Sequence, residues 1–415
     1  MSITKTLDAI FDRFDDINKS RRKFFTELFE VLACVRGRFN FTNIARFSYL
    51  DESTLRRNYA QFFDWMKFQV IFFLVFVLPF WETESEEDEV EIIGSIDCSY
   101  IDKSGKKTYG IDRFWSGVAN KTKKGLEVSL ICLTNVATGQ SFSLNVRQTP
   151  PGLSASEKGG EDYTRIDFYI EQIMDCIVQL PLIQYYVADG FYAKTKVLQA
   201  LAQVNKHLIC KLRPDANLKY LFDREANPEA HGNRKYNGKV NWNALNLDLW
   251  NLVGRDENHP HLLLYSQILY SPHFKCNLNV VFVWNTKTNS YVLLFSTDLK
   301  LAARKIVLFY QRRFKIEFIF RDAKQFMGLN HCQARSEEKL DFHFNICFAA
   351  LNLYQFGLVQ SKGDASMNSL IRRAYNTKLV KMLLSKLRTE PKIELNFDMD
   401  NVHVKETINF GQMRA

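Results

Sequence analysis

The sequence predicts a mixed α/β fold that carries a helical segment in front of it and a β-rich insertion within it. In residues 92–212 and 299–360, short apolar stretches alternate with helix-length amphipathic stretches. Between these two parts, residues 213–298 are rich in Asn and lack helical periodicity. The insertion ends in a hairpin pattern, with strands at 276–284 and 290–297 joined by the turn NTKTN.

The first 80 residues predict a helical domain, because they contain one Gly and no Pro before Pro79. Within this domain, Ser53 or Thr54 could cap a short helix that carries Arg56 and Arg57. A preceding short helix and a turn complete a helix–turn–helix pattern, which presents basic residues to DNA. A small helical bundle without any DNA contact explains the same pattern and stays open as the alternative.

An acidic stretch follows at residues 81–91, where seven acids occur in ten residues from 82 to 91. A charge run of this density predicts a solvated linker between the helical domain and the α/β part. At the other end of the chain, residues 361–415 predict a C-terminal helical segment followed by a tail without a clear pattern.

The α/β part predicts strands and helices in alternation, with an acid closing two of the strands. Asp97 ends the apolar stretch 89–97, and Asp189 ends the strand predicted at 181–190. The other predicted elements are two strands within 127–146, helices at 162–178 and 191–204, and a strand at 207–212. A carboxylate beside a buried strand is costly unless it is paired or binds a metal ion, so Asp97 and Asp189 are candidate functional residues.

Residues 310–324, YQRRFKIEFIFRDAK, predict one amphipathic helix with two distinct faces. Its polar face is formed by side chains that fall within an arc of about 60°, namely Tyr310, Arg313, Glu317 and Lys324. Its apolar face, which we expect to be buried, is formed by Ile316, Ile319, Phe320 and Ala323. One carboxylate among two cations and a phenol suits metal-assisted chemistry on a phosphate backbone, although ordinary ion pairs on a solvated face explain it too.

The net charge of +9 is concentrated near this helix, since residues 301–390 hold 16 Lys and Arg against 7 Asp and Glu. A basic block of this kind favours a polyanionic partner. The eight cysteines lack zinc-ligand spacing and predict reduced thiols in a cytoplasmic protein. The longest apolar run, at 70–80, is too short to cross a bilayer, and no membrane partner is expected.

Asp97, Asp189 and Glu317 could together bind two Mg²⁺ ions, with Mn²⁺ as a substitute, because both ions prefer oxygen ligands. These residues carry a resemblance to a known family. The spacing of Tyr310, Arg313, Glu317 and Lys324 resembles the Y-x2-R-x3-E-x6-K signature of a group of bacterial insertion-sequence DDE transposases. Asp97 in SIDCS and Asp189 in VADGFY resemble the first and second acids of that group, and the resemblance covers about 90–360.

The resemblance implies an RNase H-like catalytic core and a cut-and-paste transposase that works through DNA hairpins. It implies that Asp97, Asp189 and Glu317 bind the metal ions, and that Tyr310, Arg313 and Lys324 grip DNA phosphates. It also implies that an aromatic residue of the insertion stacks on a flipped base. Trp284 is the candidate, although it alternates with core positions, and Trp242 and Trp250 are rivals.

The implied partners are double-stranded DNA, as terminal inverted repeats and as target, and a second copy of the chain in a homodimer. The implied location is the cytoplasm, in association with the nucleoid. Two alternatives remain open at this point. One is an RNase H-like nuclease that cuts DNA without joining it, and the other is a transposase relic that binds DNA but has lost catalysis.

Overall fold

The computed structural model describes residues 3–85, 89–154, 163–224, 229, 233–361 and 365–389. The α-helices in this part of the chain are α1 Ile3–Phe11, α2 Lys19–Leu32, α3 Phe41–Arg46, α4 Glu52–Asn58, α5 Trp65–Phe72, α6 Leu78–Glu84, α7 Arg165–Gln179, α8 Thr195–Gln203, α9 Ala303–Arg313, α10 Lys315–Phe326, α11 Glu337–Gln360 and α12 Met367–Thr389. The strands are β1 Ile92–Ile101, β2 Asp112–Ser116, β3 Lys121–Asn135, β4 Ser141–Gln148, β5 Tyr185–Ala188, β6 His207–Leu212, β7 Lys219–Leu221, β8 Tyr236–Lys239, β9 Asn251–Arg255, β10 Leu262–Ser271, β11 Cys276–Asn285 and β12 Ser290–Ser296.

Five strands form the centre of the fold in the order β4-β3-β1-β5-β6. β1, β5 and β6 are parallel, whereas β3 runs antiparallel to both β1 and β4. Helices α7 and α8 connect β4 to β5 and β5 to β6, and the parallel strands need such crossover connections. Three antiparallel meander strands followed by parallel strands, in this order, are the RNase H-like arrangement that the resemblance implied.

The β-rich insertion extends this sheet instead of forming a separate one. Strand β12 pairs antiparallel with β6, and β11, β10 and β7 continue outward from it. The predicted hairpin is confirmed, because β11 and β12 pair from Asn279↔Ser296 to Asn285↔Ser290. Within the described residues the sheet therefore has twelve strands in hydrogen-bonded continuity.

The N-terminal helices pack into the same hydrophobic core as the α/β part. Phe342 of α11 lies with its ring centroid 5.9 Å from that of Phe25, 4.3 Å from that of Tyr59 and 5.1 Å from that of Trp65. A helical run continues from α5 through a π-helical turn, Phe73–Val77, into α6, which reaches Glu84. Three residues of the acidic stretch, 86–88, lie outside the described residues, as does the tail from 390 to 415.

The single helix expected at 310–324 is wrong, since the structure divides it at Phe314 into α9 and α10. The two helices bury their apolar sides in different clusters: Ile306 and Phe309 of α9 lie in one, and Ile316 and Phe320 of α10 lie in the other. One straight helix could not pack against both clusters. The apolar face predicted for the second half is confirmed, because all four of its side chains are buried.

All eight cysteines lie in the described part of the chain and are free thiols. By length and composition, two helical stretches among the described residues could cross a membrane, Trp65–Glu84 and Glu337–Gln360. The second is 78% buried inside the protein, which is typical of the central helix of a folded core.

Candidate active site

Asp97 lies on β1, and Asp189 directly follows β5, the adjacent parallel strand, at the same level of the sheet. The register pairs Ser95 of β1 with Val187 of β5, so each acid follows its paired residue by two positions. Side chains two apart on a strand point to the same face, and the two carboxylates therefore share a face. The pKa of Asp97 responds to the charge of Asp189, which is expected of two close carboxylates.

The sequence predicted that Asp97 ends its strand, and this prediction is wrong. Pairing with β3 carries β1 four residues further, to Ile101 opposite Leu126. The Asp97 carboxylate accepts hydrogen bonds from the backbone N–H of Cys98 at 2.8 Å and from Arg313 Nη1 at 3.0 Å. Burial raises the pKa of Asp97 to about 6, Arg313 opposes this effect, and the charges of Asp189 and Glu317 raise the pKa further.

Asp189 is held at the end of β5 by its own turn. Its Oδ1 accepts a hydrogen bond of 2.9 Å from the N–H of Phe191, which begins the 3₁₀ turn Gly190–Tyr192. Its backbone carbonyl accepts a bond from Cys210 Sγ on β6. A Cβ at Gly190 would lie 3.3 Å from the carbonyl oxygen of Lys211, so glycine allows this turn to sit close against β6.

Arg313 joins the helix acid to the strand acid. It is the last residue of α9, and its guanidinium donates to Asp97 through Nη1 and to Glu317 through Nη2, both at 3.0 Å. Glu317 lies in the first turn of α10, so the break at Phe314 still leaves Arg313 and Glu317 four residues apart and in contact. The guanidinium also lies 5.7 Å from the ring centre of Tyr310.

The buried Nε–H of Arg313 has no hydrogen-bond acceptor among the described residues. An unsatisfied donor on a buried guanidinium is uncommon and costs free energy, so this atom is available to a further acceptor. Burial raises the pKa of the neighbouring Tyr310, although the charge of Arg313 opposes this effect, and Tyr310 is therefore a neutral phenol at neutral pH.

Lys324 binds to β1 through Ser99, a residue that the sequence analysis missed. Its Nζ donates to Ser99 Oγ at 2.6 Å and to the carbonyl of Tyr100 at 3.3 Å. It forms no ion pair with a described residue, and burial lowers its pKa. The alternation of Ser95, Asp97 and Ser99 in the strand could have shown that all three share the face of the site.

None of the three tryptophans considered for base stacking has an indole ring free of protein contacts. Trp284 is half-buried and donates to Asn289 Oδ1 at 3.2 Å. Trp250 is buried and donates to the hydroxyl of Tyr220, and the half-buried Trp242 donates to the carbonyl of Ala216. Trp284 lies near the outer end of β11, on the core face that holds Leu278, Val280 and Phe282.

Arg56 and Arg57 are exposed on α4, which precedes all three acids in the sequence. The cap of this helix is Asp51 and not Ser53 or Thr54, because Asp51 Oδ1 accepts from the N–H of Thr54 at 2.7 Å. Arg56 Nε donates to Glu52 at 2.8 Å, and its guanidinium covers the ring of Phe41. Arg56 forms an ion pair with Glu52, whereas Arg57 forms none with a described residue.

Carboxylate oxygens are the donors that Mg²⁺ prefers, so the chemistry of Asp97, Asp189 and Glu317 fits a divalent cation. Among the described residues, however, no group of three His, Cys, Asp or Glu side chains is placed to hold a metal ion. The Arg313 guanidinium lies between two of the three donors. It supplies the positive charge there and would have to move for Asp97 and Glu317 to share a cation.

Comparison with known families assigns this fold and site to a class. The family described as "Transposase DDE domain" matches residues 95–353, more than half of the chain, and the match contains both strand acids and Glu317. The protein therefore belongs to the transposase DDE domain family. No curated protein matches the chain significantly.

Two nucleases are among the solved structures that match the chain. Endonuclease V of Ciona intestinalis, in complex with a 23-mer DNA containing inosine, is 11% identical with a TM-score of 0.24, over 67% of this chain and 90% of that one. The NurA nuclease from Sulfolobus solfataricus is 10% identical with a TM-score of 0.25, over 66% and 84% of the two chains. At these TM-scores the family match, and not the structural likeness, carries the assignment.

Proposed function

We propose that this protein is a cut-and-paste DNA transposase whose active site is formed by Asp97, Asp189 and Glu317. The observation that carries the proposal is that Arg313 links Asp97 to Glu317, while β1 and β5 hold Asp97 and Asp189 at one level. These contacts support a shared site, because they place Glu317 near Asp97 through Arg313 and Asp189 beside Asp97 through the strand register. Mg²⁺ or Mn²⁺ bound by them would activate a nucleophile and stabilise the leaving oxygen.

Arg313 has two roles in this proposal. Without DNA it neutralises Asp97 and Glu317, and with DNA it turns to a phosphate, which leaves the two acids to the metal ions. Its unsatisfied Nε–H supports this view, because a forked contact to phosphate uses Nε together with one Nη. The exchange replaces one charge pair by another, so the buried guanidinium is not left without a counter-ion.

Lys324 and Tyr310 would bind the DNA backbone next to the phosphodiester that is cut. Lys324 is a half-buried cation with only neutral acceptors among the described residues, and a phosphate would supply the missing charge. Tyr310 would donate a hydrogen bond from its phenolic O–H to a phosphate of the same DNA strand. Lys324 reaches Ser99, two residues beyond Asp97, so the phosphate that it binds would lie next to the one that is cut.

The reaction would proceed through four steps. Water hydrolyses one phosphodiester at each element end and releases a 3′-hydroxyl. This hydroxyl attacks a phosphodiester of the opposite strand, which forms the hairpin and displaces a second 3′-hydroxyl. Another water hydrolyses the hairpin, and the freed 3′-ends attack phosphodiesters of target DNA, each displacing a target 3′-hydroxyl. Two protein copies would hold the two ends as a homodimer, and the exposed Arg57 together with Arg56 would contact the terminal repeats.

The test uses a duplex that carries the inverted repeat flanking the gene and resolves its products on a denaturing gel with Mg²⁺. Nicking at the repeat boundary, followed by a hairpin and then by joined products, is the expected result. Cleavage without end specificity or joining would instead indicate a nuclease. Specific binding without any cleavage would indicate a relic.

Replacing Arg313 or Lys324 by Ala should weaken the complex with cleaved ends and flatten its salt dependence. Each lost phosphate contact lowers the slope of log K against log salt by about 0.9. Titrations by fluorescence anisotropy at several salt concentrations measure this slope, and Arg321→Ala is the control because Arg321 pairs with Asp322. Unchanged slopes for both variants would show that these cations serve structural bonds only.

Trp284→Ala should slow hairpin formation but leave the first nick unchanged. Stacking on a flipped base contributes about 1–3 kcal/mol, which corresponds to a roughly tenfold to hundredfold loss in that step. A time course on an end-containing duplex separates the two steps, and Trp284→Phe should retain both packing and stacking. Equal losses in both steps would make Trp284 a core residue, and no loss in either would move the role to Trp242 or Trp250.

A further inference from the structure

The hairpin of β2 and β3 has a face that the proposed reaction does not use. All six tryptophans lie in the described residues, and Trp115 is the one that is exposed, with 57% of its surface accessible. Four of the other five, Trp81, Trp242, Trp250 and Trp284, donate their indole N–H to a protein acceptor. No described residue accepts a hydrogen bond from Trp115 or stacks on its ring.

Basic residues surround this tryptophan on the exposed face of the hairpin. Trp115 is paired with Thr122 and Arg113 with Lys124, so the indole and two cations lie side by side. The other face is fixed, because the neighbouring Phe114 is fully buried beneath the guanidinium of Arg165 at 4.4 Å. The β2–β3 hairpin is therefore held in place on the side opposite Trp115.

Charge identifies the kind of partner that fits this face. Residues 103–124 contain seven Lys and Arg and one acid, Asp112, which is paired with Arg165 at 3.5 Å. The acid nearest to the lysines of β3 is Asp102, 3.9 Å from Lys123. At the tip, Val118 is fully exposed and a Cβ at Gly117 would meet nothing within 4 Å. An exposed aromatic ring between cations suits the outside of a DNA duplex, with phosphates on the cations and the ring packed against the sugars.

We propose that the face formed by Arg113, Trp115, Thr122 and Lys124 is a second DNA-contact site, which binds the same duplex that enters the active site. The position of the hairpin supports this view. β3 pairs with β1 along the strand that carries Asp97, with Asp97 opposite Leu130. Thr122 lies eight residues before Leu130, which is about 27 Å along an extended strand. This distance equals about eight base pairs of duplex at 3.4 Å per step.

Hydrogen bonds of Tyr100 also connect this site with the catalytic face. Tyr100 of β1 donates its hydroxyl proton to the carbonyl of Lys124 at 2.7 Å, and its own carbonyl accepts from Lys324. A duplex held at Lys324 would thus continue over Tyr100 towards Lys124 and Trp115. The inference rests on the proposed function in one respect only, namely that DNA occupies the face of Asp97.

The test exploits the single exposed tryptophan. Acrylamide quenching of intrinsic fluorescence is measured in EDTA, with and without duplex DNA, so that no cleavage occurs. A duplex that extends well beyond about eight base pairs from the cut should shield Trp115, and one ending about five base pairs from it on both sides should not. Trp115→Phe should abolish the change in quenching that the long duplex causes.

Affinity measurements complete the test. Trp115→Ser should weaken binding of the long duplex, and Arg113→Ala with Lys124→Ala should lower the salt slope by about 1.8. Leu252→Ser, which replaces an exposed apolar residue of β9, is the matched control and should bind as wild type does.

Unchanged quenching and affinity in a protein that binds the duplex would overturn the inference. Self-association that Trp115→Ser abolishes, measured by light scattering without DNA, would assign the face to a protein contact instead. Failure of the proposed function has a different result: DNA shields Trp115, yet wild type with Mg²⁺ neither nicks nor joins the duplex.

Discussion

Replacing Asp97, Asp189 or Glu317 by Ala should abolish strand cleavage while leaving DNA binding largely intact. If the acids hold the metal ions that activate the nucleophile, each loss removes transition-state stabilisation of several kcal/mol. A loss of about 4 kcal/mol corresponds to a rate about a thousandfold lower. Binding should persist, because the phosphate contacts are assigned to Arg313, Lys324 and Tyr310.

Single-turnover cleavage of an end-containing duplex in Mg²⁺ measures this effect, together with binding of the same duplex in EDTA. Asn or Gln variants at the three positions keep the side-chain shape and should fail equally. Glu257→Gln is the matched control, because this side chain is 83% exposed and lies in the insertion. Near-normal cleavage by any one acid variant would remove that residue from the site.

Phe342→Ala should destabilise the whole fold by about 3–5 kcal/mol, the range for truncation of a large buried aromatic side chain. Phe342 is 1% exposed, and its ring contacts Phe24, Phe25, Tyr59 and Trp65. The substitution would leave a cavity where the N-terminal helices meet α11. The released helices should then become accessible to protease before the sheet does.

Urea denaturation followed by circular dichroism measures the loss, and limited proteolysis locates it. Phe62→Ala is the control, because Phe62 is 85% exposed and its loss should change stability by less than about 0.5 kcal/mol. A destabilisation by Phe342→Ala no larger than that of the control would mean that the N-terminal helices do not depend on this contact.

Much of the fold was predictable, because local patterns specify it. Alternation and turn residues predicted the β11–β12 hairpin and strand β6, and helical periodicity predicted the buried face of α10. The end of β1 at Asp97 and the continuous helix across Phe314 were predicted wrongly. Both features depend on partners distant in sequence. Pairing with β3 extends β1, and α9 and α10 pack against two separate apolar clusters.

The sequence offered candidate acids for the site but not the interactions that the structure shows around them. Spacing within the helix identified Arg313 and Glu317, yet the contact of Arg313 with Asp97 joins residues 216 positions apart. The expected roles of these residues stay predictions until they are tested. The exposure of Trp115 could not be derived from the sequence either, because alternation in a strand does not tell which face meets solvent.

The most direct test of the central claim is to sequence the products of a joining reaction. Purified protein is incubated in Mg²⁺ with a short duplex that carries the element end and with a supercoiled target plasmid. The account predicts insertions in which the 3′-end of the element is joined to target DNA, with a fixed short spacing between the two joined strands. All three acid variants should yield none. Plasmid that is nicked or linearised by wild type without any joined element end would contradict the account and leave a nuclease.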